Sequence, residues 1–156
     1  MIIEKYMKQH VISIPVSATI QDAADLYARH HIGTLPVVDE QHKLVGILYM
    51  HDLLSLIMPA FVQLIGDFNY VRGDFGGYED VRPSAQTASK PIRHIMEKSI
   101  SVQTAAGLLR AFAMLNKHNM YDMPIVDDEN RLVGLASRVD IGAALLARWF
   151  NDETEA

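Results

Sequence analysis

Asp140 follows Ser137 at a spacing of three residues, and Asp52 follows Tyr49 at the same spacing. A carboxylate offers two acceptor oxygens to hydrogen-bond donors. Ser137 adds a small hydroxyl and Arg138 a planar cation suited to phosphate. Both stand beside a segment that reads as a helix start, where the helix dipole favours an anion. The same Ser-x-x-Asp spacing is also a helix capping box, which by itself justifies both residues through a cap worth ~1 kcal/mol. Arg138 taken alone reads equally as a solvated surface cation. Cap and pocket are compatible roles.

Other chemistry finds little footing. The chain has no cysteine, which excludes disulfides and thiolate nucleophiles. His30, His31, His42, His51, His94 and His118 are scattered, and none falls in an HExxH arrangement. There is no GxSxG elbow and no GxxxxGK[ST] phosphate loop. Asp67-x-Asn69 resembles the start of a calcium loop, but its glycine, Gly73, stands at the seventh place and no glutamate closes the twelfth. The chain therefore reads as a binding protein with no catalytic set, no required cofactor and no metal site.

The elements that must position these residues come from a duplication. Leu35-Pro36-Val37-Val38-Asp39, followed by Leu44-Val45-Gly46, returns 88 residues later as Met123-Pro124-Ile125-Val126-Asp127 and Leu132-Val133-Gly134. That offset carries Asp52 onto Asp140. It also carries Ile20, Ala23, Ala24 and Tyr27 onto Leu108, Ala111, Phe112 and Leu115, positions i, i+3, i+4 and i+7 of an amphipathic helix. Each copy reads as strand, helix, strand, strand, helix. In copy one these are a strand at 11–14, a helix capped by Ser17 or Thr19 and running to about residue 31, strands at 35–38 and 44–48, and a helix from Asp52. In copy two they fall at 100–102, 104–119, 123–126, 132–136 and 139–150. The crossover between the first two strands favours parallel pairing and the later two form a hairpin, so each sheet is mixed. Two copies are too few for a solenoid, so they are expected to pack about a pseudo-twofold axis with a cleft between like elements.

Composition fits one α+β protein of two such repeats. The 156 residues are 49% hydrophobic with a net charge of −5, enough for a core without staples. No basic stripe suits a nucleic acid. The charge-free stretch between Asp52 and Asp67 is too short to span a bilayer, and the N-terminus carries no secretion-type apolar run. A cytoplasmic protein is expected.

The order of a lead-in methionine (Met7, Met96), a short strand, an amphipathic helix, a hydrophobic-Pro-(Val/Ile)-Val-Asp strand, a Leu-Val-Gly strand and a final aspartate resembles the cystathionine-β-synthase (CBS) domain in tandem. The repeats cover 1–58 and 91–150, separated by a connecting insertion at 59–90 and followed by an acidic tail at 151–156. The resemblance implies a regulatory module that binds an adenosine-type ligand, such as AMP, ADP, ATP or S-adenosylmethionine, in the cleft between repeats. It gives the aspartate to the ribose and the hydroxyl three residues before it to the phosphate or ribose. Copy two keeps that pattern in Ser137 and Asp140, with Arg138 between them, while in copy one Tyr49 occupies the hydroxyl's place. The stronger site by this reading joins Ser99, Ile100, Tyr121, Met123 and Pro124 to Ser137, Arg138 and Asp140, with Tyr121 offering a face to the base. The weaker site joins Ile12, Thr34, Leu35 and Pro36 to Asp52.

The insertion holds five aromatics, Phe61, Phe68, Tyr70, Phe75 and Tyr78, which argues against disorder. Leu53–Leu64 is expected to prolong the helix of copy one, bent near Pro59, and the Gly-aromatic stretch to fold back on the module or on a second subunit. The 83–89 run reads as a flexible piece. The whole implies a homodimer that senses an adenine nucleotide and relays occupancy to a protein partner. The alternative is a ligand-free dimerisation or scaffold module of the same fold.

Overall fold

In copy one, Thr19 and Asp22 cap each other: the Asp22 N–H donates to Thr19 Oγ1 at 3.2 Å and the Thr19 N–H to Asp22 Oδ2 at 2.9 Å. This box starts α1 (Ile20–His30), which buries Ile20, Ala23 and Tyr27 and ends where His31 takes a left-handed φ of 52°. The computed structural model describes residues 1–150; the 151–156 tail lies outside the described residues. Strand β1 (Ile14–Pro15) pairs parallel with β2 (Thr34–Val38), and β2 pairs antiparallel with β3 (Leu44–Tyr49). The β2–β3 turn is held by Asp39 Oδ1, which accepts the N–H groups of Gln41 and Lys43, both at 2.9 Å. Helix α2 (Met50–Leu54) follows directly.

The connecting segment departs from the sequence expectation. Instead of a bent helix through Leu64, α2 stops at Leu54, and Ala60–Leu64 forms a separate 3-10 turn after Pro59. Proline lacks the N–H needed to continue the ladder and disfavours helical backbone at Met58, so the helix ends rather than bends. The insertion's aromatics pack on one another: Phe61 meets Phe75 and Tyr78 edge-to-face at 5.8 and 5.7 Å, and Phe68 meets Phe75 at 6.4 Å. The 83–89 run is also not a loose tether. Ser84 Oγ accepts the Thr87 N–H at 3.1 Å and caps α3 (Ala85–Ala88), which packs on α1.

Copy two repeats the plan with β4 (Val102–Gln103), α4 (Leu108–Lys117), β5 (Asp122–Val126), β6 (Leu132–Ser137) and α5 (Arg138–Ala147). Here β4 and β5 are parallel and β5 and β6 antiparallel, as expected of a mixed sheet. The sheets meet about an axis that exchanges residues 88 apart. The Leu44 N–H donates to the Asn130 carbonyl and the Leu132 N–H to the His42 carbonyl, both at 3.0 Å. Val38, Leu44, Val126 and Leu132 close this seam. On the same axis Thr34 Oγ1 donates to Asp122 Oδ2 at 2.7 Å.

The segments leading into each copy cross over. Ile3, Tyr6 and Met7 pack in the core of copy two, and Lys8 exchanges backbone hydrogen bonds with Leu135. Ile92, Ile95 and Met96 pack in the core of copy one, and Glu97 exchanges the same pair of bonds with Ile47. Gly46 and Gly134 make room for these arms. A Cβ at Gly46 would sit 2.6 Å from Met96 Sδ, and one at Gly134 closer still to Met7 Sδ.

Candidate functional site

Where β6 meets α5, Ser137 Oγ accepts the Asp140 N–H at 3.0 Å and donates to Asp140 Oδ2 at 2.7 Å, while the Ser137 N–H donates to the same oxygen at 3.1 Å. The cap inferred from the Ser-x-x-Asp spacing is thus made, and among the described residues its bonds run to Oδ2 and leave Oδ1 free. Lys8 Nζ lies 3.8 Å from Oδ2. Partial burial works against ionising Asp140, but the Ser137 hydrogen bonds and the Lys8 ammonium outweigh it and hold the carboxyl below its usual range.

Lys8 also lines a cavity of about 280 Å³ with Ile12, Gly33, Thr34, Asp122 and Leu135. The cavity therefore crosses the repeats. Copy one supplies the approach to β1 and the start of β2, copy two supplies β5 and β6, and Lys8 links the space to Asp140. The sequence grouping instead joined Ile12 and Thr34 to Asp52. An offset between copies maps like onto like and says nothing about which copies face each other across a cavity. A hollow of similar volume, about 290 Å³, lies between α1, α2 and Pro83, but its lining is nearly all apolar and offers no converging polar groups.

Several sequence-selected residues also have structural duties. Leu35 and Met123 are 0% exposed and belong to the two cores. Pro36 and Pro124 are buried inside β2 and β5, and Ser99 and Ile100 are half-buried on the approach to β4. Arg138 is not a solvated cation. Its Nη2 donates to the Met120 carbonyl at 2.7 Å and the Leu115 carbonyl at 3.4 Å, its guanidinium lies 5.5 Å from the Tyr121 ring centre, and its Nε is buried without a partner. Arg138 thereby ties the start of α5 to the end of α4, where a cation also complements the helix dipole.

The cleft related by the twofold carries different side chains on the same backbone. Gly33, whose carbonyl accepts the Met50 N–H, corresponds to Tyr121, whose carbonyl accepts the Arg138 N–H. Ser137 corresponds to Tyr49, which caps α2 only through its backbone N–H, donated to Asp52 Oδ2 at 2.8 Å. Lys8 corresponds to Glu97, as their matching bonds to Leu135 and Ile47 establish. Burial and the charges of Glu97, Asp52 and Asp122 push the Tyr49 phenol up to about 12. Burial, the Asp52 charge and a hydrogen bond with Asp52 raise the Glu97 carboxyl, with His51 partly offsetting them. One cleft offers a cation and open space, the other two carboxylates and two aromatic rings. Lys8 and Glu97 escaped the sequence reading because the arms repeat at 89 residues rather than 88, and Gly33 because it has no side chain to suggest a role.

Residues 3–59 and 92–147 each match the CBS domain model. The chain belongs to the CBS-domain family. Among relatives, an uncharacterized protein of Methanocaldococcus jannaschii is 27% identical, with 94% of this CBS pair and 92% of that protein covered. A second uncharacterized protein of that organism is 26% identical, and inosine-5'-monophosphate dehydrogenase of Aquifex aeolicus 28%. These matches cover 85% and 83% of the pair but only 36% and 21% of the two relatives. Among solved structures, CBSX2 in complex with AMP superposes with a TM-score of 0.70 at 23% identity over 95% of this chain and 98% of that one. The CBS domain pair of protein MJ0100 in complex with 5'-methylthioadenosine and S-adenosylmethionine gives 0.68 at 23% identity, again over 95% and 98%. The tandem-pair architecture is common to all three molecules. None of the described helices is long and apolar enough to cross a membrane.

Proposed function

We propose that this CBS pair is a regulatory module that binds an adenine nucleotide or a related adenosine ligand in the cleft lined by Lys8, Ile12, Gly33 and Thr34. The observation that carries the reading is the charge arrangement at α5. Asp140 spends Oδ2 on the cap and keeps Oδ1 for a ribose diol, with the Lys8 ammonium beside it for phosphate. The complexes of CBSX2 with AMP and of the MJ0100 pair with S-adenosylmethionine support the ligand class. Occupancy shifts the population between arrangements of the two repeats, by no more than the ligand's preference between them. The module passes that shift to a protein partner, acts as a homodimer in the cytoplasm and turns nothing over.

Titration calorimetry with AMP, ADP, ATP and S-adenosylmethionine tests this on the full chain and on Asp140→Ala and Asp52→Ala. Binding is expected in the wild type, to be lost in Asp140→Ala and to change little in Asp52→Ala. A larger loss at Asp52 would reverse the assignment of clefts, and no binding to the wild type would favour a ligand-free scaffold. After overnight incubation with and without magnesium, chromatography should return the nucleotide intact. Hydrolysis that disappears in Asp140→Ala would overturn the non-catalytic reading.

A further inference from the structure

We propose that His51, Asp52 and Glu97 form a divalent-cation site at the second cleft. His51 Nε2 lies 3.4 Å from Asp52 Oδ1 and 3.5 Å from Glu97 Oε2, and one ligand atom from each residue falls within 4.8 Å of the others. Metal–ligand bonds of about 2.0–2.2 Å place neighbouring donors roughly 3.0 Å apart around an octahedral ion and roughly 3.4 Å apart around a tetrahedral one. The two spacings from His51 already match the tetrahedral value, and the Asp52–Glu97 pair, within 4.8 Å, has to close further on an ion.

Asp52 and His51 are positioned, and the Glu97 backbone anchored, by contacts within the protein. Asp52 Oδ2 is fixed by the Tyr49 N–H, which turns Oδ1 toward His51. Glu97 is anchored by its paired backbone bonds to Ile47, at 2.7 and 3.0 Å. The His51 ring stacks on Tyr49 with centres 5.2 Å apart and planes 14° from parallel. With a neutral imidazole, two carboxylate charges face each other uncompensated, and a divalent cation neutralises them. One imidazole and two carboxylates suit Zn²⁺ or Mn²⁺, with remaining positions open to water.

A second observation comes from the duplication. At the twofold-related positions His51 becomes Val139 and Glu97 becomes Lys8, and only the aspartate is kept as Asp140. The first cleft has its positive charge built in as Lys8. The second carries a carboxylate there and gains an imidazole that is charged only when protonated, so with a neutral imidazole a bound cation is what balances the two carboxylates. This inference stands on the second cleft's own residues and not on nucleotide binding at the first.

Zn²⁺ titrated into chelator-stripped full chain by calorimetry should bind at one equivalent, and Mn²⁺ should broaden the NMR signals of His51, Asp52 and Glu97 before others. His51→Ala and Glu97→Gln should each weaken Zn²⁺ by more than about tenfold, since loss of even an outer partner typically costs that much. Both side chains are about half exposed or more, at 68% and 49%, so neither variant removes core packing. Asp52, which caps α2, is left in place. A His30→Ala/His31→Ala variant should bind as the wild type does. Absence of one-equivalent binding, retention of it in both ligand variants, or broadening centred on other histidines would overturn the site.

Discussion

Asp140 ties one carboxylate oxygen, Oδ2, to the helix cap, and among the described residues its hydrogen bonds leave Oδ1 free. Ser137→Ala removes the hydroxyl that both donates to and accepts from Asp140, so unfolding in denaturant should show a loss of ~1 kcal/mol. If the hydroxyl also serves the ligand, affinity measured on the same sample should fall further than stability does. The Asp140 carboxyl is held below its ordinary value, so the folded state binds its proton less tightly than the unfolded chain. Its contribution is present above about pH 3.8 and is lost as pH falls through the lower folded value. The stability gap between wild type and Asp140→Asn, followed by denaturation from neutral to acid pH, should accordingly be widest near neutrality and narrow below that point.

At the scale of elements, the arms fit because two strands carry glycine where the methionines lie. Gly134→Ala should destabilise by ~1–3 kcal/mol, as a new methyl group is driven against Met7, and Met7→Ala in the same chain should recover part of that loss. Thermal or denaturant unfolding of the two single variants and the double variant checks the coupling. The elements themselves were largely legible beforehand. Thr19-x-x-Asp22, the alternating apolar runs and the offset of 88 located α1, the hairpins and the parallel pairing of β1 with β2. Pro59 misled only in degree, since a proline that marks a bend on paper ends a helix when the next residues find aromatic partners instead. The cleft was less legible. Asp140, Ile12 and Thr34 were each singled out, but their grouping depends on which copy lies across the axis, and no local spacing encodes that. Arg138 looked like a free cation because the carbonyls it meets, Leu115 and Met120, are some twenty residues away in sequence.

For the whole molecule, the crossed arms make the two repeats one cooperative body. Ile3 and Ile92 are both 0% exposed, yet each is buried in the copy it does not lead into. Ile3→Ala should cost 2–5 kcal/mol, an amount typical of a core truncation, and should quicken hydrogen exchange in β6 before β3. Ile92→Ala should cost a similar amount with the order reversed. Faster exchange confined to the copy adjoining the substituted arm in sequence would contradict the crossing.

The same crossing bears on ancestry. A chain holding a single repeat would own an arm it could not use on itself and a groove its own arm does not fill, so two such chains would satisfy each other by trading arms. Gene duplication then needed to invent no interface. Joining the two copies by 59–90 makes an exchange between equals a fixed arrangement within one chain, which leaves each groove free to carry its own chemistry, Lys8 in one and Glu97 in the other.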